Sequence, residues 1–321
     1  MQSGDLSVFN EEERQTLKIF VQTDQSGAEA LIVAYLCYNG DYRQLFINGI
    51  KPHSFLGMHL FKDIWPKEMR AAHLIGDDVR FDIMELIECP IPKLKSHPFW
   101  KPLDRLIKDS DNWIPSKRYY YFAKQTEHSS NYGITTEPFR MNVLEKSGGK
   151  IMLSKEMAEN FLLTKRALFP EILDWHKRLK AQVELTHYIY NLHGHPLAIT
   201  WHEIPNDKWK EIYAIPPQST VGMITNLCFS RIQEYTEANN LHWDHLVNCH
   251  DSILSQCPIG EEKALGLKQK EFIEQHFTSP VDGVEFNMRS ETQYGFNWGV
   301  YKKGKDGLPD KNVLGLREMK F

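Results

Sequence analysis

The sequence has no uninterrupted apolar run of about 18 residues, so it holds no candidate transmembrane helix. Its five cysteines, Cys37, Cys89, Cys228, Cys249 and Cys257, are odd in number and include no Cys-x-x-Cys pair. That argues against a zinc site or a disulfide scaffold and for a reducing compartment. No glycine-rich phosphate loop, nucleophile elbow or well-spaced Cys/His pair is present. The start, Met1-Gln2-Ser3-Gly4-Asp5, lacks the basic and apolar regions of a secretory leader, so the expected location is cytoplasmic, or the interior of a host cell if the source is viral. Excess charge is also missing. A net charge of −4 draws no whole protein toward nucleic acid, so such binding would need a local basic surface.

What is present is a globular composition. The 321 residues, 41% hydrophobic and 25% charged, allow a real core in one large domain or two ordinary ones. Residues 10–15 read as charged helix or loop. Residues 17–24 read as a strand, with Ile19, Val21 and Thr23 facing one way and Phe20 and Gln22 the other. Ser26 is placed to cap a helix, with Glu29 as its capping-box partner, and Asn39-Gly40 to stop it. Residues 41–89 look helical with short breaks, and 90–115 a proline-punctuated connection. Ser116 is a candidate cap for a helix over 117–131. Ser147-Gly148-Gly149 marks a loop, and helices follow over 154–169 and 172–190. Residues 197–201 and 210–215 look like strands, Pro216-Pro217 a break, and 220–239 a helix. Residues 246–254 read as a hairpin, 261–277 as a helix, 284–288 as a strand, and the tail from Lys302 as loosely held.

Three places carry chemistry. The first strand delivers Asp24 to its end and turns into the helix carrying Glu29. The hairpin sets Asp251 at its tip. If the two strands pair, the carboxylates suit a two-metal site for phosphoryl transfer, in which ions about 3.5–4 Å apart activate a hydroxyl and neutralise pyrophosphate. Repulsion between the two carboxylates would be relieved by metal. Alone, each aspartate reads as an ordinary turn residue. The third place is the helix over 117–131, where Lys124 and Tyr132 fall about 12 Å apart on one face with His128 between them. Lys124 can bind phosphate, His128 can meet a base or sugar, and Tyr132 can stack on a templating base. The helix N-terminus near Lys117 offers N–H groups to outer phosphates. Alone, this is an ordinary amphipathic helix. His193-Gly194-His195 and His242-x-x-His245 read as surface or packing histidines.

Together the pieces are more specific. Asp24-x-Ser26-x-x-Glu29 resembles the first motif, Asp-Tyr-Ser-x-x-Glu, of the A-family (DNA polymerase I-like) DNA polymerases. Lys124-x3-His128-x3-Tyr132-Gly133 resembles the second and His250-Asp251-Ser252 the third, His-Asp-Glu. Pro217-Gln218-Ser219 is similar to the Pro-x-Gln-Gly segment, with the proline one place nearer, and His53 to the histidine of the Asp-x-His-Thr stretch. The resemblance spans residues 21–298. It implies an α+β fold: a right-hand polymerase palm, a small antiparallel sheet flanked by helices, with a helical fingers subdomain. The implied division is palm over 1–40 and 185–301, fingers over 41–184, and a tail over 302–321.

The resemblance further implies DNA-directed DNA polymerase activity, with primer–template DNA and dNTPs as partners and two Mg2+ ions, or Mn2+, as cofactors. Asp24 and Asp251 would be the catalytic, metal-binding residues. Lys124 and Lys117 would hold the triphosphate, His128 the nucleotide, and Glu29 would exclude a 2′-hydroxyl. Tyr132 and Gly133 would face the template, and Gln218 and His250 the primer end. The sequence departs from the motifs at several places. Tyr120 stands where the second motif has arginine, with Lys117 or Arg118 as possible substitutes. Gln25 and Leu31 replace the first motif's Tyr and Arg, Ser252 replaces the third motif's Glu, and His195-Pro196 sits where Gly is usually followed by arginines. The single-subunit RNA polymerases are similar but carry glycine at the place of Glu29, which favours deoxynucleotides here. A non-catalytic DNA-binding or assembly subunit is the other alternative. Since the family's thumb lies upstream of the first motif, it is expected to be absent; either a partner chain supplies it, as in a split polymerase, or the chain is a compact enzyme of low processivity, with a viral or phage origin expected.

Overall fold

The computed structural model describes residues 17–76, 79–299, 301 and 312–321. The segments at 10–15 and 302–311 lie outside them. The strands are β1 (Lys18–Gln25), β2 (Tyr188–Tyr190), β3 (Pro196–Ala198), β4 (Asp244–Cys249), β5 (Ser252–Pro258), β6 (His276–Thr278), β7 (Glu285–Asn287), β8 (Ser290–Gly295) and β9 (Arg317–Glu318). Five of them form an antiparallel sheet in the order β4-β5-β1-β8-β9, while β2-β3 and β6-β7 are separate hairpins.

The alternation read from residues 17–24 is what β1 uses. Ile19, Val21 and Thr23 are buried beneath a helix, and the intervening residues are half-buried. Three hydroxyls on adjacent strands are tied to that helix by one side chain. Gln269 accepts from Thr23 (2.8 Å) and donates to Ser255 (2.8 Å), and Thr23 meets Thr292 at 3.0 Å. Buried polar groups that are all satisfied in this way fix the sheet's register against the helix.

The helices before the β2–β3 hairpin are α1 (Ala28–Leu36), α2 (Asp41–Ile47), α3 (Pro52–Leu60), α4 (Trp65–Ala71), α5 (Ile83–Ile87), α6 (Ile91–Leu94), α7 (Trp100–Asp109), α8 (Tyr119–Ser130), α9 (Thr136–Lys146), α10 (Lys155–Leu168) and α11 (Pro170–Thr186). After it come α12 (Trp209–Ala238) and α13 (Glu262–Ile273), the helix carrying Gln269. No helix among the described residues is long and apolar enough to cross a membrane.

α1 is apolar all round, and eight of its residues are buried, so it is a rod through the middle of the core. Its start differs from the capping box expected at Ser26 and Glu29. Gly27, left-handed at φ 60°, makes the turn, and the Ser26 hydroxyl caps nothing. Its end comes before Asn39-Gly40. Arg43 donates to the Ala34 carbonyl (3.1 Å) and to the Cys37 carbonyl, and Arg178 to that of Leu36 (3.0 Å). Two guanidinium groups thus satisfy the free carbonyls and the negative end of the helix dipole.

Four other expectations need correction. Residues 90–115 contain two helices, because Pro92 and Pro102 fall in their first turns, where the missing N–H costs nothing. Residues 210–215 are helical, and Pro216-Pro217 does not break the chain; both prolines lie inside the 30-residue α12. α11 stops at Thr186, where His187 turns left-handed at φ 58°, so residues 188–190 become a strand. The end of the tail joins the sheet as β9, which buries Leu316 and Met319.

Candidate active site

The antiparallel register brings three carboxylates to one end of the sheet. β1 ends there, β5 begins with Ser252 opposite Asp24, and β8 sets Glu291 opposite Asp24 on the other side. The β4–β5 turn carries Asp251 beside them. It is held in place through its backbone: the Asp251 carbonyl accepts the Gln25 N–H at 2.9 Å, and the His250 carbonyl accepts the Thr225 hydroxyl at 2.9 Å. His250 is left-handed at φ 56°, which gives the turn its sharpness. Ser252 takes no part. It is buried, and its hydroxyl donates to the Cys249 carbonyl at 3.3 Å.

Burial, then the charge and hydrogen bond of Asp251, then the charge of Glu291 push the Asp24 carboxyl up to about 7. Between 3.8 and about 7 the folded chain holds a proton that the unfolded chain has lost. Stability therefore falls as pH rises through that window. Asp24→Asn removes the repulsion, so it should raise the thermal midpoint of the metal-free protein at pH 8. The gain should shrink at pH 5, where wild-type Asp24 is neutral in the folded state. Calorimetry at both pH values checks this.

The opposite wall is α8. It starts at Tyr119 after a short turn over Pro115–Lys117, so neither Ser116 nor Lys117 is its cap. Lys124 is exposed and has no ion pair among the described residues, and His128 is half-buried one turn on. Both line a cleft of about 590 Å³ that also contains Asp24, Asp251, Glu29 and Glu291. Tyr132 lies behind the cleft, where its hydroxyl donates to Glu29; burial and then the Glu29 charge push that phenol far up. The Nε2 of His250 is 3.9 Å from the other Glu29 oxygen. Glu29 is thus fixed between a tyrosine and a histidine at the mouth of the carboxylate cluster. Gly133 follows at φ 72°, a conformation that strains any residue with a Cβ, and faces the Tyr213 ring.

Five expected residues do not line the cleft: Tyr132, Gly133, His250, Lys117 and Gln218. Lys117 reaches Glu68 at 3.4 Å, and Gln218 is exposed on α12. Sequence reading also missed two. Glu291 lay just past the strand expected at 284–288, and the strand that carries it, β8, pairs with β1. Glu127 is fully buried within α8, where an amphipathic reading leaves a carboxylate on the solvent side. It accepts from Tyr42, from Asn131 Nδ2 (2.7 Å) and from His53 (3.2 Å). Burial alone would raise this carboxyl. The His53 bond and the charges of His128 and Lys165 outweigh burial and hold it well below the usual range. His53, Glu127 and His128 bring potential metal-ligand atoms within 4.8 Å of one another. Both Glu127 oxygens are already hydrogen-bonded, which makes this cluster an anchor for His53 rather than a vacant ligand set.

No protein-family model and no curated protein matches the sequence. Among solved structures, the chain is similar to the POL domain of Pol1 from M. smegmatis in complex with DNA primer-template and dNTP, at a TM-score of 0.59 and 14% identity. The likeness covers 91% of this chain and 44% of that one, so the chain spans less than half of that structure's length. At that identity the likeness is one of fold: this chain has the α+β fold of a DNA polymerase domain.

Proposed function

We propose that the chain is a template-directed DNA polymerase of A-family type. The observation that carries this reading is one cleft, on a polymerase fold, with Asp24 and Asp251 on one wall and Lys124 and His128 on the other. In the reaction the primer 3′-oxygen bonds to the α-phosphorus of a dNTP. The bond from that phosphorus to its bridging oxygen breaks, and pyrophosphate leaves. The sheet end, with Asp24, the β4–β5 hairpin and Glu291, is the palm part. The helices over 41–184 are the fingers.

A carboxyl held protonated to about pH 7 by burial and by two neighbouring carboxylates fits a hard divalent ion. Asp24 and Asp251 would hold Mg2+ or Mn2+, with Glu291 beside them where Ser252 offers nothing; the ions would acidify the hydroxyl and neutralise pyrophosphate. Lys124 binds the triphosphate as a point charge. His128 packs on the nucleotide, and Tyr132-Gly133 faces the template. Gln218 and His250 meet the primer end. Glu29, locked by Tyr132, sits against the sugar and leaves no room for a 2′-hydroxyl.

Primer extension with dNTPs and NTPs supplied separately tests the reading. Wild type should use dNTPs. Glu29→Ala should narrow the preference over NTPs by about 10–100-fold, the range in which a pocket excludes one small group. Equal use of NTPs by wild type would overturn the role of Glu29.

A further inference from the structure

The second motif's arginine is Tyr120 here, and the cleft has to bind the outer phosphates without it. Tyr120 itself is committed: its hydroxyl lies 3.4 Å from His53 Nδ1, and its N–H donates to Ser110 at 2.9 Å. The two neighbouring cations are committed elsewhere. Lys117 pairs with Glu68. Arg118 donates to the Asp111 carbonyl (2.8 Å) and carboxylate (3.1 Å) and lies over the Tyr121 ring at 4.7 Å. Neither residue lines the cleft.

Two cations that no motif contains do line it. Lys51 is the last residue before α3, exposed, and without an ion pair among the described residues. It stands two residues before His53, where the Asp-x-His-Thr stretch has aspartate, so the local charge is reversed. Arg289 precedes β8. Its carbonyl accepts the Ser26 N–H at 2.8 Å, which ties it to the turn after Asp24. Its guanidinium donates to the Phe46 carbonyl at 3.2 Å and meets no carboxylate among the described residues. Elsewhere in the chain, cations such as Lys18, Arg43, Lys108 and Lys270 are paired with acids. A triphosphate that presents its α-phosphate to Asp24 and Asp251 has a tail of separate negative charge, and Lys124, Lys51 and Arg289 line that space without an ion pair among the described residues.

We propose that Lys51 and Arg289 bind the β- and γ-phosphates of the incoming nucleotide, in place of the arginine that the second motif carries at Tyr120. The inference rests on the polymerase reading of the same cleft, and it locates the triphosphate tail on the α3 and β8 side of Lys124. The two side chains are binding residues rather than catalytic ones. Their loss should therefore weaken binding of the triphosphate and raise KM for dNTP.

The test is equilibrium binding of dTTP, dTMP and inorganic tripolyphosphate to wild type, Lys51→Ala, Arg289→Ala and the double variant. Lys101→Ala, an exposed helix lysine outside the cleft, is the control. Each single variant should weaken dTTP and tripolyphosphate about tenfold, within the range of a charge-assisted contact, and leave dTMP unchanged. Tyr120→Arg should restore much of the dTTP affinity in the Lys51→Ala background and add less in the wild-type background; an equal gain in both would count against a phosphate contact at Lys51. If wild type binds dTTP and the variants bind it equally well, this inference falls and the polymerase reading stands. If wild type binds neither dTTP nor tripolyphosphate, both fall together.

Discussion

Asp251→Asn should reduce nucleotidyl transfer on the order of 10³-fold or more, the scale on which loss of a central catalytic group acts. The fold should survive. Asp251 is held by its backbone carbonyl, which accepts the Gln25 N–H, and the turn is made by His250. Neither depends on the carboxylate. The substitution removes a charge and a hydrogen bond that help to hold the Asp24 carboxyl up to about 7. Asp24 should therefore titrate lower in the variant, and the metal-free variant should be at least as stable as wild type at pH 8. Single-turnover primer extension measures the first effect. Carboxyl-resolved NMR titration measures the second. An Asp251→Asn protein that extends primers at the wild-type rate would remove Asp251 from the chemistry.

Glu127→Gln should destabilise the chain by about 3–5 kcal/mol, the usual cost of removing one member of a buried charged pair. Its counterpart is Lys165, also buried. Lys165 donates to Asn131 at 2.8 Å, and Asn131 in turn donates to Glu127 at 2.7 Å. The ammonium also lies 4.2 Å from the centre of the Tyr42 ring, whose hydroxyl donates to Glu127. Burial lowers Lys165 to about 8, with Glu127 the first of the charges that oppose the fall. Without Glu127 the lysine must stay charged and uncompensated or give up its proton. Adding Lys165→Met should recover part of the loss, so the double variant should be more stable than the sum of the singles predicts. Urea unfolding of all four proteins gives this coupling. The same carboxylate anchors His53, so Glu127→Gln should also loosen the wall of the cleft beside Tyr120.

Much of the site was legible because its signals are local. The Ile19, Val21, Thr23 alternation identified β1, and a polar turn between apolar runs identified the β4–β5 hairpin. The i, i+4, i+8 set of Lys124, His128 and Tyr132 identified α8 and the start of the turn after it. What sequence reading missed depends on partners far along the chain. Trp209, Ile212, Pro216, Thr220, Ile224 and Cys228 form a buried stripe at helical spacing, but the two prolines were given more weight than the periodicity. Pro216 and Pro217 are both buried, and α12 continues through them. The Ser26 cap was expected from residue type. Gly27 made the turn instead, which freed Glu29 for Tyr132. Glu291 was invisible because its neighbour Asp24 is 267 residues away and meets it only through the β1–β8 register. The cations of the cleft were misplaced for the same reason. Lys117 and Arg118 are close to Tyr120 in sequence, whereas Lys51 and Arg289 reach the cleft only through the fold.

The most direct measurement is single-nucleotide incorporation on four primed templates that differ only in the first unpaired base. Protein is held in excess over primer, and each dNTP is supplied alone with Mg2+. A template-directed polymerase built on this cleft should extend the primer by one nucleotide only where the dNTP complements the template base. The extension should be lost in Asp251→Asn. Extension that ignores the template base, or no extension with any of the four nucleotides, would contradict that function.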